Sequence, residues 1–470
     1  MSSRLTVTHA SRRLLTNASL VAILVTCLVA AATPRAWALE IKRMQLSNGA
    51  ILLVSEQHQL PMVTAGITFD AGSRRDPAGK EGLAALTAES LTEGTTSLKA
   101  AEFNEQVDFM GSSVGIGASR DFATATFTSL TKYRDVTLHM LAQLLQEPGL
   151  RDADILRKQA EQIAAIKSAE EEPSYTANVA FTKMLFGNTP YGHPTSGSSD
   201  AVSKLTPNDV REFYHQHYKL GGAIIAVAGD VTVEEIKGAL EKELSGLQGT
   251  VPPQVAPSAP VVPPGIHTQI IDRNVTQANL FLGSGGVSRS DPDYYKLQVM
   301  NYILGGGGFA SHLMKVVRSK AGLAYSIGSV FQAGKFPGAF IVVLETKNAS
   351  ANESIRLILE QLHDIQRKPV SDTELTDAKR YLIGSFPLKL DRQSEIVSFM
   401  LETEIYGLGL DYADRYPKII SAVSAADVQA VAQKYLHPDA LDLVAVANQS
   451  EAKISVASVE PQKQASAANH

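Results

Sequence analysis

Residues 247–265, Leu-Gln-Gly-Thr-Val-Pro-Pro-Gln-Val-Ala-Pro-Ser-Ala-Pro-Val-Val-Pro-Pro-Gly, hold six of the chain's 21 prolines and show no apolar periodicity. Such a segment is a semi-rigid, extended connector that neither a helix interior nor a central strand can absorb. It divides the 470-residue chain into stretches of similar length, 39–246 and 266–450, followed by a polar Ala/Ser/Gln tail over 451–470 that is expected to be disordered. Two stretches of matched length point to one fold written twice.

The repeat is visible at both ends of each stretch. Ala71-Gly72-Ser73-Arg74-Arg75-Asp76-Pro77 follows the strand-like run Val63 to Phe69, and Gly286-Val287-Ser288-Arg289-Ser290-Asp291-Pro292 follows Ala278 to Leu282. Later, Pro207-Asn208-Asp209-Val210 opens a helical pattern that leads into the apolar run Ala223 to Ala228, and Ala425-Ala426-Asp427-Val428 opens one that leads into Leu441 to Ala447. Ala71 and Gly286 are 215 positions apart, Val210 and Val428 are 218 apart, and so steady an offset marks duplicated architecture. Tyr133 to Gln146 places Val136, Met140, Leu141, Leu144 and Leu145 on one helical stripe, and Ile155, Ile163 and Ile166 mark another. Ile41 to Val54, turning at Asn48-Gly49, reads as a hairpin. The expected fold is α+β, in two duplicated halves that each pack helices on an antiparallel sheet.

The N-terminus sets the compartment. Residues 1–19 carry Arg4, Arg12 and Arg13 without an acid, Leu20 to Ala32 is apolar apart from Thr26, and Ala36-Trp37-Ala38 follows. This is the layout of a secretory signal peptide over 1–38. Its apolar run of 13 residues is shorter than the ~20 needed to cross a bilayer. The expected location is the periplasm or the cell exterior, with no membrane span after cleavage. The chain's single cysteine, Cys27, leaves with the signal, which excludes a disulfide, a cysteine-held metal and a thiol nucleophile. Four arginines and no acid leave as well, so 43 basic and 48 acidic residues become 39 and 48, and a net charge of −5 becomes −9. That surplus of acid excludes nucleic acid, whose binding rests on neutralising phosphates.

A helix opens within Glu81-Gly82-Leu83-Ala84-Ala85-Leu86-Thr87-Ala88-Glu89-Ser90-Leu91-Thr92-Glu93-Gly94-Thr95. The frame of Gly72-Ser73-Arg74-x-x-Pro77, then Gly82-Leu83-Ala84, then Glu93-Gly94-Thr95 resembles the pitrilysin/insulinase family of zinc peptidases, in particular its processing-peptidase-like branch. In that family this tract carries H-x-x-E-H. Two histidines at i and i+4 share a helix face and hold zinc, and the glutamate activates the bound water. The resemblance places the histidine positions at Ala85 and Glu89 and the general base at Ala88. The third ligand, a glutamate on a later helix, falls in Ala164-Ala165-Ile166. Glu161 and Glu170 are nearby, but a catalytic zinc needs about three protein ligands. No metal is therefore expected on this chain, and no catalytic residue of its own. His215 and His217, two apart on a helix, point about 200° apart and cannot share a metal as neighbours. His193 lies in Pro190-Tyr191-Gly192-His193-Pro194, which resembles a structural tract of the family, and no G-x-S-x-G elbow is present.

The second half keeps the family's C-terminal signature: Gly305, Gly306, Gly307 and Gly308, then Arg318 and Tyr325. No Lys-Ser/Thr follows the glycines, so they are not a nucleotide loop. The resemblance implies that Arg318 and Tyr325 reach toward a zinc held by the opposing half or partner and bind the substrate's main chain. A guanidinium and a phenol suit this role, as donors to a peptide carbonyl whose oxygen gains charge in the transition state. The family's halves face each other around an unfolded peptide. In some bacterial members they are separate chains, one bearing zinc and one bearing the Arg/Tyr pair. This sequence matches the second kind over about 40–450. The expected function is that of the zinc-free subunit of a periplasmic heterodimeric metalloendopeptidase, with a zinc-bearing homologous subunit as partner and a peptide or unfolded protein as substrate. Two other readings are a structural or peptide-binding protein that keeps the fold outside proteolysis, and a chain that cleaves alone.

Overall fold

A computed structural model describes residues 39–257 and 259–455. The signal peptide expected over 1–38 and the tail over 456–470 lie outside the described residues.

β1 (Lys42–Gln45) and β2 (Ile51–Glu56) form the expected hairpin, with Gln45 opposite Ile51 and Gly49 in the left-handed region at φ 88°. With β3 (Met62–Phe69), β4 (Ser113–Ala118), β5 (Ala123–Leu130) and β6 (Ile224–Gly229) they make a sheet ordered β1-β2-β6-β3-β5-β4. In the second half β7 (Gly265–Asp272), β8 (Gln277–Gly285), β9 (Ala324–Gln332), β10 (Ala339–Lys347) and β11 (Ala440–Ala447) make a sheet ordered β7-β11-β8-β10-β9. Apart from β1, the two orders are the same, which establishes the duplication at the level of topology. The sheets are mixed and not purely antiparallel, because β2 pairs parallel with β6 and β7 parallel with β11. The reason is geometric. The last strand of each half enters between two strands of opposite direction, so it must run parallel to one of them.

Helices form where the apolar spacing placed them, at Arg134–Gln146, Asp152–Glu170, Pro207–His217 and Ala425–Tyr435. In the first, Val136 is 51% exposed and Thr137 is buried in its stead. Thr137 Oγ1 donates to the Tyr133 carbonyl and shares hydrogen bonds with Ser112 and Ser129, so a satisfied hydroxyl takes the core position.

The halves are interlocked. The Pro173–Phe186 helix of the first half packs on β8 and β11, and the Gln393–Ile405 helix of the second packs on β3 and β6. Gly66 makes room for this, since a Cβ there would come within 3.0 Å of Val397 and 3.1 Å of Leu401. On the other sheet, a Cβ at Gly283 would lie 2.1 Å from the Phe340 carbonyl oxygen of the neighbouring strand and 2.9 Å from Phe181. Phe181 is fully buried against Phe281, and a burial of that size stabilises by about 1.5–3 kcal/mol. The proline-rich segment is therefore not the sole connection, and it is itself fastened. Gln254 accepts from Arg74 Nη1 and donates to the Arg74 carbonyl at 2.8 Å, and the Pro252 carbonyl accepts from Arg75 at 2.8 Å. Order also runs past residue 451, because Ala452 and Ile454 are buried and Ile454 N donates to Gln449. Among the described residues no helix is long and apolar enough to cross a membrane.

Candidate functional site

The Leu83–Leu91 helix starts where it does because the carboxylate of Asp76 accepts from the backbone N–H groups of Gly82 and Ala84, at 2.8 and 2.7 Å. Gly94, at φ 90°, ends the tract in a turn where a Cβ would meet the Leu98 carbonyl at 2.4 Å. On this helix Ala85 is half-buried, Ala88 is buried and Glu89 is exposed. The two alanines carry no donor atom. Glu89 lies 3.7 Å from Lys158, whose ammonium is also 3.2 Å from Glu93 and 3.2 Å from Glu161. Arg157 pairs with Glu93 and, at 2.6 Å, with Glu161. Burial works against the charge on Lys158, but hydrogen bonds to Glu161 and Glu93 outweigh it and hold the amine above the usual lysine range. Ala164 and Ala165 are exposed, and among the described residues no three His, Cys, Asp or Glu side chains are placed to share a metal ion.

His215 is exposed, whereas His217 is half-buried against Phe213, and burial pushes its imidazole down to about 4. Tyr191 of the Pro-Tyr-Gly tract is buried. Its hydroxyl donates to Asp121 at 2.6 Å and accepts from the Phe336 N–H at 3.1 Å, so it ties the two halves together.

The Tyr294–Asn301 helix widens into a π turn over Tyr302–Gly306 and a short 3-10 turn at Gly308–Ala310, and Met314–Lys320 is π-helical again. Gly305 is buried, and a Cβ there would strike Ser329 of β9 at 2.3 Å, so this glycine lets the helix end lie against the sheet of its own chain. Gly306 and Gly308 are exposed, Gly307 is half-buried, and Gly308 takes φ 55°. Turning at these residues, the chain presents Phe309, 68% exposed, with its ring centroid 4.7 Å from Arg318 Cζ. Tyr325, 72% exposed near the start of β9, lies 5.7 Å from the same atom on the other aromatic contact. Among the described residues no carboxylate is within ion-pair distance of Arg318, and the Met314 sulfur lies 4.0 Å from its Nη1. β9 is an edge strand of its sheet, with β7 at the opposite edge.

The structure thus brings Arg318 and Tyr325 together and adds Phe309, which sequence reasoning did not single out. The signal for it was an aromatic residue placed directly after four glycines.

Residues 52–199 match the family model for insulinase, peptidase family M16, and residues 204–382 match that for the peptidase M16 inactive domain, together more than half of the chain. The chain belongs to the pitrilysin/insulinase family. Relatives of this M16 chain include a non-peptidase homologue, YmxG, of Helicobacter pylori, 24% identical over 86% of this chain and 93% of that one. A probable mitochondrial-processing peptidase β subunit of Arabidopsis thaliana is 25% identical over 87% of this chain and 78% of that one. The crystal structure of a peptidase M16 inactive domain from Pseudomonas fluorescens superposes with a TM-score of 0.81 at 26% identity, covering 87% of this chain and 98% of that one.

Proposed function

We propose that this chain is the non-zinc subunit of a periplasmic heterodimeric metalloendopeptidase. It binds extended peptides and supplies Arg318 and Tyr325 to the zinc site of a homologous partner subunit, and zinc resides in that partner. The observation that carries the reading is the contrast between Ala85 and Ala88, which offer a metal nothing, and Arg318, a cation with no carboxylate in ion-pair distance among the described residues and with two exposed aromatic rings beside it. Tyr325 is exposed and Arg318 half-buried, and Arg and Tyr are enriched among the residues that carry most of the binding energy at interfaces. An extended peptide adding to the open edge of β9 would run past Tyr325, with main-chain pairing giving affinity. The β subunit named among the relatives belongs to a multi-subunit peptidase, which supports a partner for this chain too.

The test is peptide cleavage by the purified mature chain, by the zinc-bearing homologue and by their mixture. Cleavage is expected only in the mixture, and Arg318→Ala is expected to lower it about 10²–10³-fold, the range for losing a transition-state donor. Full activity of Arg318→Ala in the mixture removes this role. The alternative, a structural or peptide-binding protein outside proteolysis, is favoured by the non-peptidase description of the Helicobacter pylori relative. It predicts peptide binding without cleavage in every combination.

A further inference from the structure

Arg74 and Arg289 hold the same place in the two copies of the Ser-Arg-x-Asp-Pro turn, 215 positions apart, and both are buried. Arg74 is matched by acids: it pairs with Asp70, and its Nε lies 3.6 Å from Asp121. At the position corresponding to Asp70 the second half has Gly285. Its β9–β10 turn, Ala333-Gly334-Lys335-Phe336-Pro337-Gly338, stands where the β4–β5 turn holds Asp121 and contains no acid. Arg289, 8% exposed, has no carboxylate within ion-pair distance among the described residues.

Four tyrosine rings surround it instead, with centroids 4.1 Å (Tyr294), 5.4 Å (Tyr295), 5.7 Å (Tyr406) and 5.9 Å (Tyr412) from Cζ. Burial works against the charge, but the phenols outweigh it and keep the group above the usual arginine range. Nη2 donates to the Tyr412 hydroxyl at 3.1 Å, whereas the buried Nη1 meets no acceptor in hydrogen-bonding geometry. Cation–π contacts recover about 0.5–2 kcal/mol each but leave that N–H unsatisfied.

Arg289 lines a cavity of about 180 Å³ together with Gln298, Tyr412, Lys389 and Glu402. Gln298 Nε2 donates to the Tyr294 hydroxyl at 3.0 Å, and its buried Oε1 has no partner. With the two ends of that amide exchanged, Tyr294 donates to Oε1 and the NH₂ faces the cavity. The Tyr412 hydroxyl accepts from Arg289 and shares a further hydrogen bond with Tyr295, so it is already engaged. The wall therefore offers the Arg289 guanidinium and the Gln298 amide, with Lys389 also lining it, and the acid among its lining residues, Glu402, is exposed. We propose that this cavity binds a singly charged carboxylate, held by Arg289 Nη1 with the Gln298 amide. Glu402 on the wall disfavours a doubly charged phosphate. The site is separate from Arg318 and Tyr325 and does not depend on the peptidase reading.

Calorimetric titration of the mature chain with acetate, inorganic phosphate, and one tetrapeptide as free acid and as C-terminal amide tests the proposal. Acetate is expected to bind saturably and no more weakly than phosphate. If the carboxylate comes from a peptide C-terminus, the free acid binds at least about tenfold tighter than the amide. If it comes from a small free molecule, acetate binds and neither peptide does. Arg289→Met is expected to abolish acetate binding. Where that variant fails to fold, Glu402→Gln decides, with an expected tightening of about two- to fivefold. Absence of acetate binding, phosphate binding tighter than acetate, acetate binding retained by folded Arg289→Met, or acetate affinity unchanged or weakened in Glu402→Gln overturns the proposal.

Discussion

The two halves share a strand order and differ in what they do with charge. In the first half, at the place where the family frame would put a metal, Glu89, Glu93 and Glu161 close on Lys158, and Arg157 joins them. In the second half, among the described residues, half-buried Arg318 has no acid within ion-pair distance and lies beside the exposed rings of Phe309 and Tyr325. Charge closed on itself within a chain holds structure. Charge left open beside exposed aromatic rings is available to a partner or a substrate.

That comparison can be broken in several ways. Phe181→Ala, in the helix that the first half lends to the second sheet, is expected to cost about 3–5 kcal/mol and to unfold both halves in one denaturant transition. Two separate transitions would show that the halves are not coupled. Lys158→Met is expected to lower the unfolding free energy by about 1–3 kcal/mol, because it strips a partner from nearly buried Glu93. The same variant should leave cleavage by the reconstituted mixture unchanged, and lost cleavage at full stability would place function in the first-half cluster. Phe309→Ala is expected to do the reverse, weakening peptide binding by about 1 kcal/mol while the unfolding midpoint stays put.

The smallest effect concerns pH. Burial, with the charge of Arg75 behind it, holds His217 at about 4 in the folded chain against an ordinary value of 6.5. The unfolded chain takes up the proton first, so stability falls as pH drops from 6.5 toward 4. The loss is about 1 kcal/mol once partial exposure is discounted, and His217→Leu should flatten it in urea titrations at pH 7 and pH 5.

Much of the fold is legible in local pattern. The hairpin at Asn48-Gly49, the Pro207 and Ala425 helix starts and the apolar strands at 223–228 and 441–447 each depend on nearby residues, and the structure forms them there. Partnership across a long separation leaves no such mark. Nothing around Phe181 or Val397 says that each covers the other half's sheet, and a glycine such as Gly66 reads as a weak strand residue until the helix above it is known. Arg318 and Tyr325 are legible only through the family frame, because an arginine and a tyrosine have no spacing rule of their own. Phe309 is missed because a single exposed aromatic has no period. Arg289 repeats Arg74 in sequence, and only the packing shows that its acids have been replaced by tyrosines.

The central claim is that this chain works as one side of a two-chain site. Affinity purification of the tagged chain from its source cells, with metal analysis of what elutes, tests it most directly. A zinc-containing homologue of similar size should accompany it, at one zinc per pair and with the zinc in the partner. Elution of this chain alone carrying stoichiometric zinc, or alone and cleaving peptides, would contradict the account.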